Sequence, residues 1–190
     1  MQTDFYYKKW WDTYSNDVVK RLLEFNNIRT DTFQVCFTGD SRTIDIYQEV
    51  KKRNSDLYKL LVNNGIGGRF TSPPYVGLID YHEQHAYAYE IFRFERKDEF
   101  EIGALHKGCS RKERDSYVKD LAEVLLNCKK YLRKGFNIFL VANDKFNLYE
   151  KIPKLCGLTI VNQFKRPVLN RVEKDRETAY SESIFHMRER

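Results

Sequence analysis

The sequence predicts an α/β fold, on three observations. Thr32 to Thr38 alternates Phe33, Val35 and Phe37 with polar neighbours, the period of a strand. A capped, amphipathic helix starts after Ser110. Beyond it, Phe136 to Val141 is an unbroken apolar run, which fits a strand covered on both faces. Strands alternating with helices over 190 residues make about one domain.

The elements follow in order. Residues 1 to 14 crowd together Phe5, Tyr6, Tyr7, Trp10, Trp11 and Tyr14. So many rings need cover, from a local mini-core or from another chain. Asp17 to Phe25 reads as a short amphipathic helix, with Val18, Leu22 and Phe25 on one face. Residues 1–30 are therefore an aromatic segment with a helix and a candidate docking surface. Residues 31–190 form the main region. Gly39-Asp40-Ser41 ends the first strand, and Ile44 to Leu61 reads as one or two charged helical segments. Asn63 to Gly68 reads as a flexible loop running into Arg69-Phe70-Thr71-Ser72-Pro73-Pro74-Tyr75.

In the helix after Ser110, the hydroxyl can serve one orphan amide while Glu113 reaches back. Tyr117, Leu121, Val124, Leu125, Cys128 and Leu132 share its apolar face. Gly135 reads as its stop, after a run of Lys129, Lys130, Arg133 and Lys134. A short helix is expected near Leu148 to Leu155, limited by Pro153. Strands are expected at Leu158 to Phe164 and Ser183 to Met187, with a polar loop, Asn170 to Thr178, between them.

Composition narrows the partners. The net charge is +6 and aromatics reach 15%, which suits a polyanion whose bases can stack; a solvated charged surface around an aromatic core reads equally well. No stretch spans a bilayer and no secretory signal is read, so a cytoplasmic protein is expected. Cys36, Cys109, Cys128 and Cys156 form no C-x-x-C pair and read as reduced thiols.

The chemistry concentrates at residues 71–75. Pro73-Pro74 cannot continue a helix or central strand, so it stiffens the exit from the preceding segment. The first proline has no N–H to compete for its neighbours' carbonyls. Acceptors held beside an aromatic ring suit an exocyclic amine that must face an electrophile. Bonds from that amine to Ser72 and to the Pro73 carbonyl favour a tetrahedral nitrogen and free its lone pair. The Tyr75 ring can stack on the base, which must first leave the duplex. A Pro-Pro turn capping a strand is the plainer reading of S-P-P-Y by itself.

Thr71-Ser72-Pro73-Pro74-Tyr75 resembles motif IV of S-adenosylmethionine-dependent DNA amino-methyltransferases, written (D/N/S)-P-P-(Y/F/W). Gly39-Asp40-Ser41-Arg42 resembles the G-D turn that commonly precedes that motif. Phe136 to Val141 and the end from Arg176 to Met187 resemble later strands of such catalytic halves. The resemblance runs from about Phe33 to Met187, and only the T-S-P-P-Y segment is specific. It implies a Rossmann-like class I methyltransferase fold with S-adenosylmethionine as donor and DNA as partner, within a restriction-modification or related system. It implies catalytic roles for Ser72, Pro73, Pro74 and Tyr75, and donor contacts for Asp40 and Thr71. A serine in first position is commoner among cytosine-N4 enzymes than adenine-N6 enzymes.

The family's F-x-G-x-G donor loop has no counterpart here, since Gly65-Ile66-Gly67-Gly68 follows no apolar strand and leads into motif IV. No separate target-recognition region follows Met187. A split enzyme is therefore expected, its donor loop and target recognition on a second subunit. A non-catalytic DNA-binding or partner-clamping subunit, and an RNA or protein amino-methyltransferase, are the alternatives.

Candidate DNA contacts are Tyr81 and His82, in Tyr81-His82-Glu83-Gln84-His85, and two basic stretches. The first holds Lys107 and Arg111, with Lys112 and Arg114; the second holds Lys165, Arg166 and Arg171, with Asn170, Lys174 and Arg176. Polar loops and solvated helix faces explain the same residues. His82 and His85 are three apart with no third ligand, so no metal is expected.

Overall fold

The computed structural model describes residues 3–30, 32–167 and 181–190, and the side chains from residue 7 onward within them. The chain divides into two compact units, Met1–Cys36 and Phe37–Arg190. Among the described residues no helix is long and apolar enough to cross a membrane, and all four cysteines are free thiols.

The first unit is built on α1 (Thr3–Ile28), which extends well beyond the short helix expected at Asp17 to Phe25. Asp17 pairs with Arg21, and Lys20 with Glu24, one turn apart. Its apolar side chains are open: Tyr7, Trp10, Trp11, Tyr14, Leu22, Leu23, Phe25 and Ile28 are all exposed.

In the second unit, α2 (Ile46–Arg53) and α3 (Ser55–Asn64) start on side-chain caps. Asp45 accepts from the Gln48 amide, and Asn54 accepts from the Asp56 and Leu57 amides. Next come β1 (Ile66–Thr71), α4 (Tyr81–Gln84), α5 (Ala86–Phe92), α6 (Arg111–Lys129), β2 (Leu132–Ala142), α7 (Ile152–Leu155), β3 (Leu158–Pro167) and β4 (Ser181–Glu189). The strands form one sheet in the order β1-β2-β4-β3. β1 and β2 run parallel, joined through α6, whereas β4 is antiparallel to both its neighbours.

Burial explains this arrangement. α6 begins on Ser110, whose Oγ accepts from the Glu113 amide at 3.3 Å; this is the first half of the expected capping box, and among the described residues the Glu113 side chain accepts no return bond from the Ser110 amide. It buries Tyr117, Val118, Leu121, Ala122, Val124, Leu125 and Cys128. Of these, Tyr117, Val118, Leu121, Ala122 and Leu125 join Phe136, Ile138, Leu140 and Ala142 of β2 and Phe185 and Met187 of β4 in one core. The register also aligns Phe70, Phe139 and His186 across the sheet, on the opposite face. There the Phe139 ring stacks on His186 at 4.4 Å and Phe70 stays 74% exposed. The outer edge of β1 has no strand beside it among the described residues.

Four expectations are corrected. Residues 32–38 form no strand, because alternation supplies only a face, and no neighbouring strand gives this segment a ladder. Residues 66–68 are not a loop but the start of β1, where pairing with β2 overrides weak glycine propensity. Gly135 is no helix stop. α6 ends at Lys129, and Gly135 lies inside β2 at φ +75°, where the register with β1 shifts. Leu132 accordingly opens β2 rather than closing the helix. The expected loop Asn170 to Thr178 lies outside the described residues.

Candidate functional site

β1 delivers the 71–75 segment. Its last residue, Thr71, pairs with Leu140 of β2, and the chain then turns at Ser72-Pro73-Pro74. Ser72 is exposed, Pro73 is buried, and Pro74 and Tyr75 are half-buried. The corner therefore lies at the surface with its stiff part rooted in the core.

Two long-range contacts clamp it. Tyr117 of α6 donates its hydroxyl to the Pro74 carbonyl at 2.6 Å. Because that proton is committed, the bond between the Tyr117 and Tyr149 hydroxyls must be donated by Tyr149. Burial pushes both phenols above their ordinary range, so both stay protonated. Tyr149 is itself set by Asp144, which follows β2 and accepts from the Leu148 and Tyr149 amides at 2.6 and 3.3 Å. The second clamp holds the ring of Tyr75, whose hydroxyl donates to Glu182 of β4 at 2.7 Å. Glu182 also pairs with Arg166, its cross-strand partner on β3.

A cavity of about 180 Å³ opens beside the corner. Ser41, Arg69, Thr71, Ser72, Pro73 and Pro74 line it, and Leu121 and Leu125 of α6 close its floor. The Gly39-Asp40-Ser41-Arg42 turn thus meets the 71–75 segment at one cavity, through Ser41. Asp40 itself faces Arg42, accepting from its Nε at 3.0 Å and its Nη2 at 2.9 Å. Arg42 also reaches Asp120 of α6 at 3.1 Å. The Arg42 guanidinium holds the Asp40 carboxyl below the usual carboxylate range, against the opposing effect of burial. Asn127 donates to the Ser41 and Ile44 carbonyls at 3.2 and 3.0 Å, tying the turn to α6.

The segment after Tyr75 folds over two histidine–carboxylate contacts. Asp80 accepts from the His106 amide and meets its Nδ1 at 2.8 Å. Glu101 accepts from the Tyr81 amide at 2.7 Å and meets His82 Nδ1 at 3.1 Å. His82 also stacks on Tyr89. The side chain of His82 is 19% exposed and the Tyr81 ring is open. No group of three His, Cys, Asp or Glu side chains able to hold a metal occurs among the described residues.

The basic candidates are spread out. Lys107 donates to the Glu101 carbonyl at 2.7 Å. Arg111 opens α6, exposed, beside a surface hollow it shares with Lys112, Asp115, Ser116 and Lys119. Lys165 and Arg166 lie exposed on β3, and Arg171 falls outside the described residues. The contacts that sequence reasoning missed are Tyr117, Tyr149, Glu182, Asp120 and Asn127. Tyr117 carried a signal, since a hydroxyl on an apolar helix stripe needs a partner when buried.

A scan against protein-family models gives no match. Over 177 residues, 93% of its length, the chain is 51% identical to the type II methyltransferase M.MjaII of Methanocaldococcus jannaschii, and it spans 33% of that relative's length. Among solved structures, a protein of Thermus thermophilus described as a DNA modification methylase aligns at a TM-score of 0.41 and 16% identity, over 80% of this chain and 52% of that one. That likeness is too loose to support a fold assignment.

Proposed function

We propose that this chain is the target-base half of an S-adenosylmethionine-dependent DNA amino-methyltransferase of Rossmann-like class I type. It works with a second segment or subunit that brings the donor loop and target recognition. One observation carries the reading: an exposed Ser72 in a clamped Pro73-Pro74 corner that lines a cavity, followed directly by a tethered Tyr75 ring. The match to a type II methyltransferase over one third of that relative's length supports it from a separate direction.

In this reading the extruded base lies against Tyr75 while its exocyclic amine donates to Ser72 and to the Pro73 carbonyl. Those two bonds orient the nitrogen and free its lone pair. The rigid corner holds that geometry before the base arrives, so little ordering is left for the reaction itself. Serine in first position favours cytosine N4 over adenine N6 as target. Tyr81, His82, Lys107, Arg111, Lys165 and Arg166 are assigned to DNA, along with Arg171 beyond the described residues.

The donor, S-adenosylmethionine, supplies an electrophilic methyl group. In this reading the chain alone does not enclose it, which a cavity of about 180 Å³ supports, being below the roughly 300–1,000 Å³ of complete small-molecule pockets. Thr71 and the Asp40 turn would form one wall of its site. The edge of β1, unpaired among the described residues, and the open face at Phe70 support the same reading. The exposed rings of α1 are a candidate surface for the second component.

The test is reconstitution. The chain is purified with a companion protein carrying F-x-G-x-G, and transfer of labelled methyl from S-adenosylmethionine to unmodified DNA is measured. Transfer by the pair, with donor binding by calorimetry weak or absent for the isolated chain, is expected. Tight donor binding by the isolated chain overturns the split arrangement. Assembly with DNA binding and no transfer would instead fit a non-catalytic clamp, and label entering only RNA or protein a different substrate.

A further inference from the structure

We propose that Glu182 is a positioning residue of the target pocket: its carboxylate holds the Tyr75 hydroxyl and so sets the plane that the ring offers to an extruded base. This rests on the reading that Tyr75 stacks on a base.

The geometry is specific. Glu182 lies 107 positions from Tyr75, yet one carboxylate oxygen accepts from the phenol at 2.7 Å. The other oxygen pairs with Arg166. The Glu182 side chain is only 12% exposed. A carboxylate this covered is costly to leave unpaired, so the tether to Tyr75 is held rather than exchanged with water. Arg166 is its direct partner in the β3–β4 register, so the acceptor is fixed by the sheet and not by a loop.

A stacking ring needs a defined tilt, and an aromatic side chain has two torsions with which to lose it. Packing supports one end of Tyr75, which lies against the core cluster. The bond to Glu182 supports the far end. The backbone between them is held separately, by Tyr117 on the Pro74 carbonyl. The motif pattern accepts Phe or Trp at this place, so stacking alone does not require a hydroxyl. The hydroxyl here has a structural use in its bond to Glu182.

The experiment compares Glu182→Ala, Glu182→Gln, Tyr75→Phe and the Tyr75→Phe/Glu182→Ala pair in the reconstituted complex, with unmodified DNA as substrate. Glu182→Ala is expected to lower kcat between about ten- and a hundredfold, the scale of a misplaced reacting group. Glu182→Ala also releases Arg166, which is assigned to DNA, so the tether is read from kcat at saturating DNA and not from KM. Glu182→Gln, whose amide oxygen still accepts from the phenol, should recover most of the rate. In the Tyr75→Phe background Glu182→Ala should add nothing further. An undiminished effect in that background, or a silent Glu182→Ala, overturns the proposal.

A second measurement needs no activity. With 3-fluorotyrosine at position 75 of the chain, the fluorine line should change from a single held environment to an averaged one in Glu182→Ala. An unchanged line sinks the positioning role. If the wild-type pair transfers no methyl while the line still responds to Glu182, the reading of the corner as a base pocket fails and the tether stands.

Discussion

The hydroxyl of Tyr117 donates a 2.6 Å hydrogen bond to the carbonyl of Pro74, across 43 positions of sequence. Helix α6 thereby grips the 71–75 corner from behind, and Tyr149 completes the grip by donating to Tyr117. A diproline segment is stiff but still needs an anchor to hold it in place. This buried phenol pair is that anchor.

Tyr117→Phe should therefore be the more damaging of two isosteric changes. It leaves the Pro74 carbonyl and the Tyr149 hydroxyl without partners, a cost of about 1–3 kcal/mol for each buried group left unpaired. Tyr149→Phe removes only a donor, at about 1 kcal/mol, and Tyr117 can still bond to Pro74. The double change should cost less than the sum, because the two hydroxyls serve each other. Urea denaturation midpoints give the ranking, and a Tyr149→Phe as costly as Tyr117→Phe contradicts it.

Gly103 packs closely against the same ring. It sits at φ +71°, and a Cβ there would lie 2.8 Å from Cδ2 of Tyr117. Gly108 has a similar φ of +74° with open space around it. Gly108→Ala should show backbone strain alone, about 1 kcal/mol, whereas Gly103→Ala should add the clash and reach about 2–3 kcal/mol. Thermal denaturation of the two variants measures the crowding at Gly103, where the Tyr117 ring is nearest and the Val76 Cα follows at 3.2 Å. Equal losses mean that Tyr117 is not tightly held.

Asp40 gives a pH signature. Its carboxyl is held below the ordinary carboxylate range, chiefly by the Arg42 side chain. A lowered folded value means the contribution is present above the unfolded value and is lost as pH falls through the folded one. Wild type should thus exceed Asp40→Asn in stability by a constant margin above about pH 4, and the margin should shrink below that. A margin that widens on acidification contradicts the assignment.

Much of this architecture is legible in local sequence, where local physics decides it. The Ser110 cap, the apolar stripe of α6 as far as Cys128 and the strand at Phe136 to Val141 each carry their own signal and form, although the second face of that strand, at Asn137 and Phe139, is half-buried and not fully covered. Pairing partners carry no such signal. Phe33, Val35 and Phe37 alternate like a strand and form none, whereas Gly67 and Gly68 read as a loop and join β1. In both places the deciding factor is whether a neighbouring strand exists. A positive-φ glycine serves equally as a helix stop or a bulge, so Gly135 is ambiguous until the earlier end of α6 is known.

The candidate site divides in the same way. Ser72 to Tyr75 can be read because its stiffness and chemistry lie in consecutive residues. The residues that hold the corner in place, Tyr117 and Glu182, are 43 and 107 positions away in sequence, and only the fold brings them to it. Asp40 shows the opposite limit: its turn reaches the cavity through Ser41, while its carboxylate bonds to Arg42, a pairing that a G-D pattern does not announce.

If the clamped corner and Tyr75 present an exocyclic amine for methylation, as proposed, the product is visible by nucleoside mass spectrometry of DNA treated with the reconstituted pair. N4-methylcytosine or N6-methyladenine should accumulate with wild type and disappear with Tyr75→Ala, while gel filtration shows the pair still assembled. Methylation on a ring carbon, or full activity from Tyr75→Ala, would contradict it.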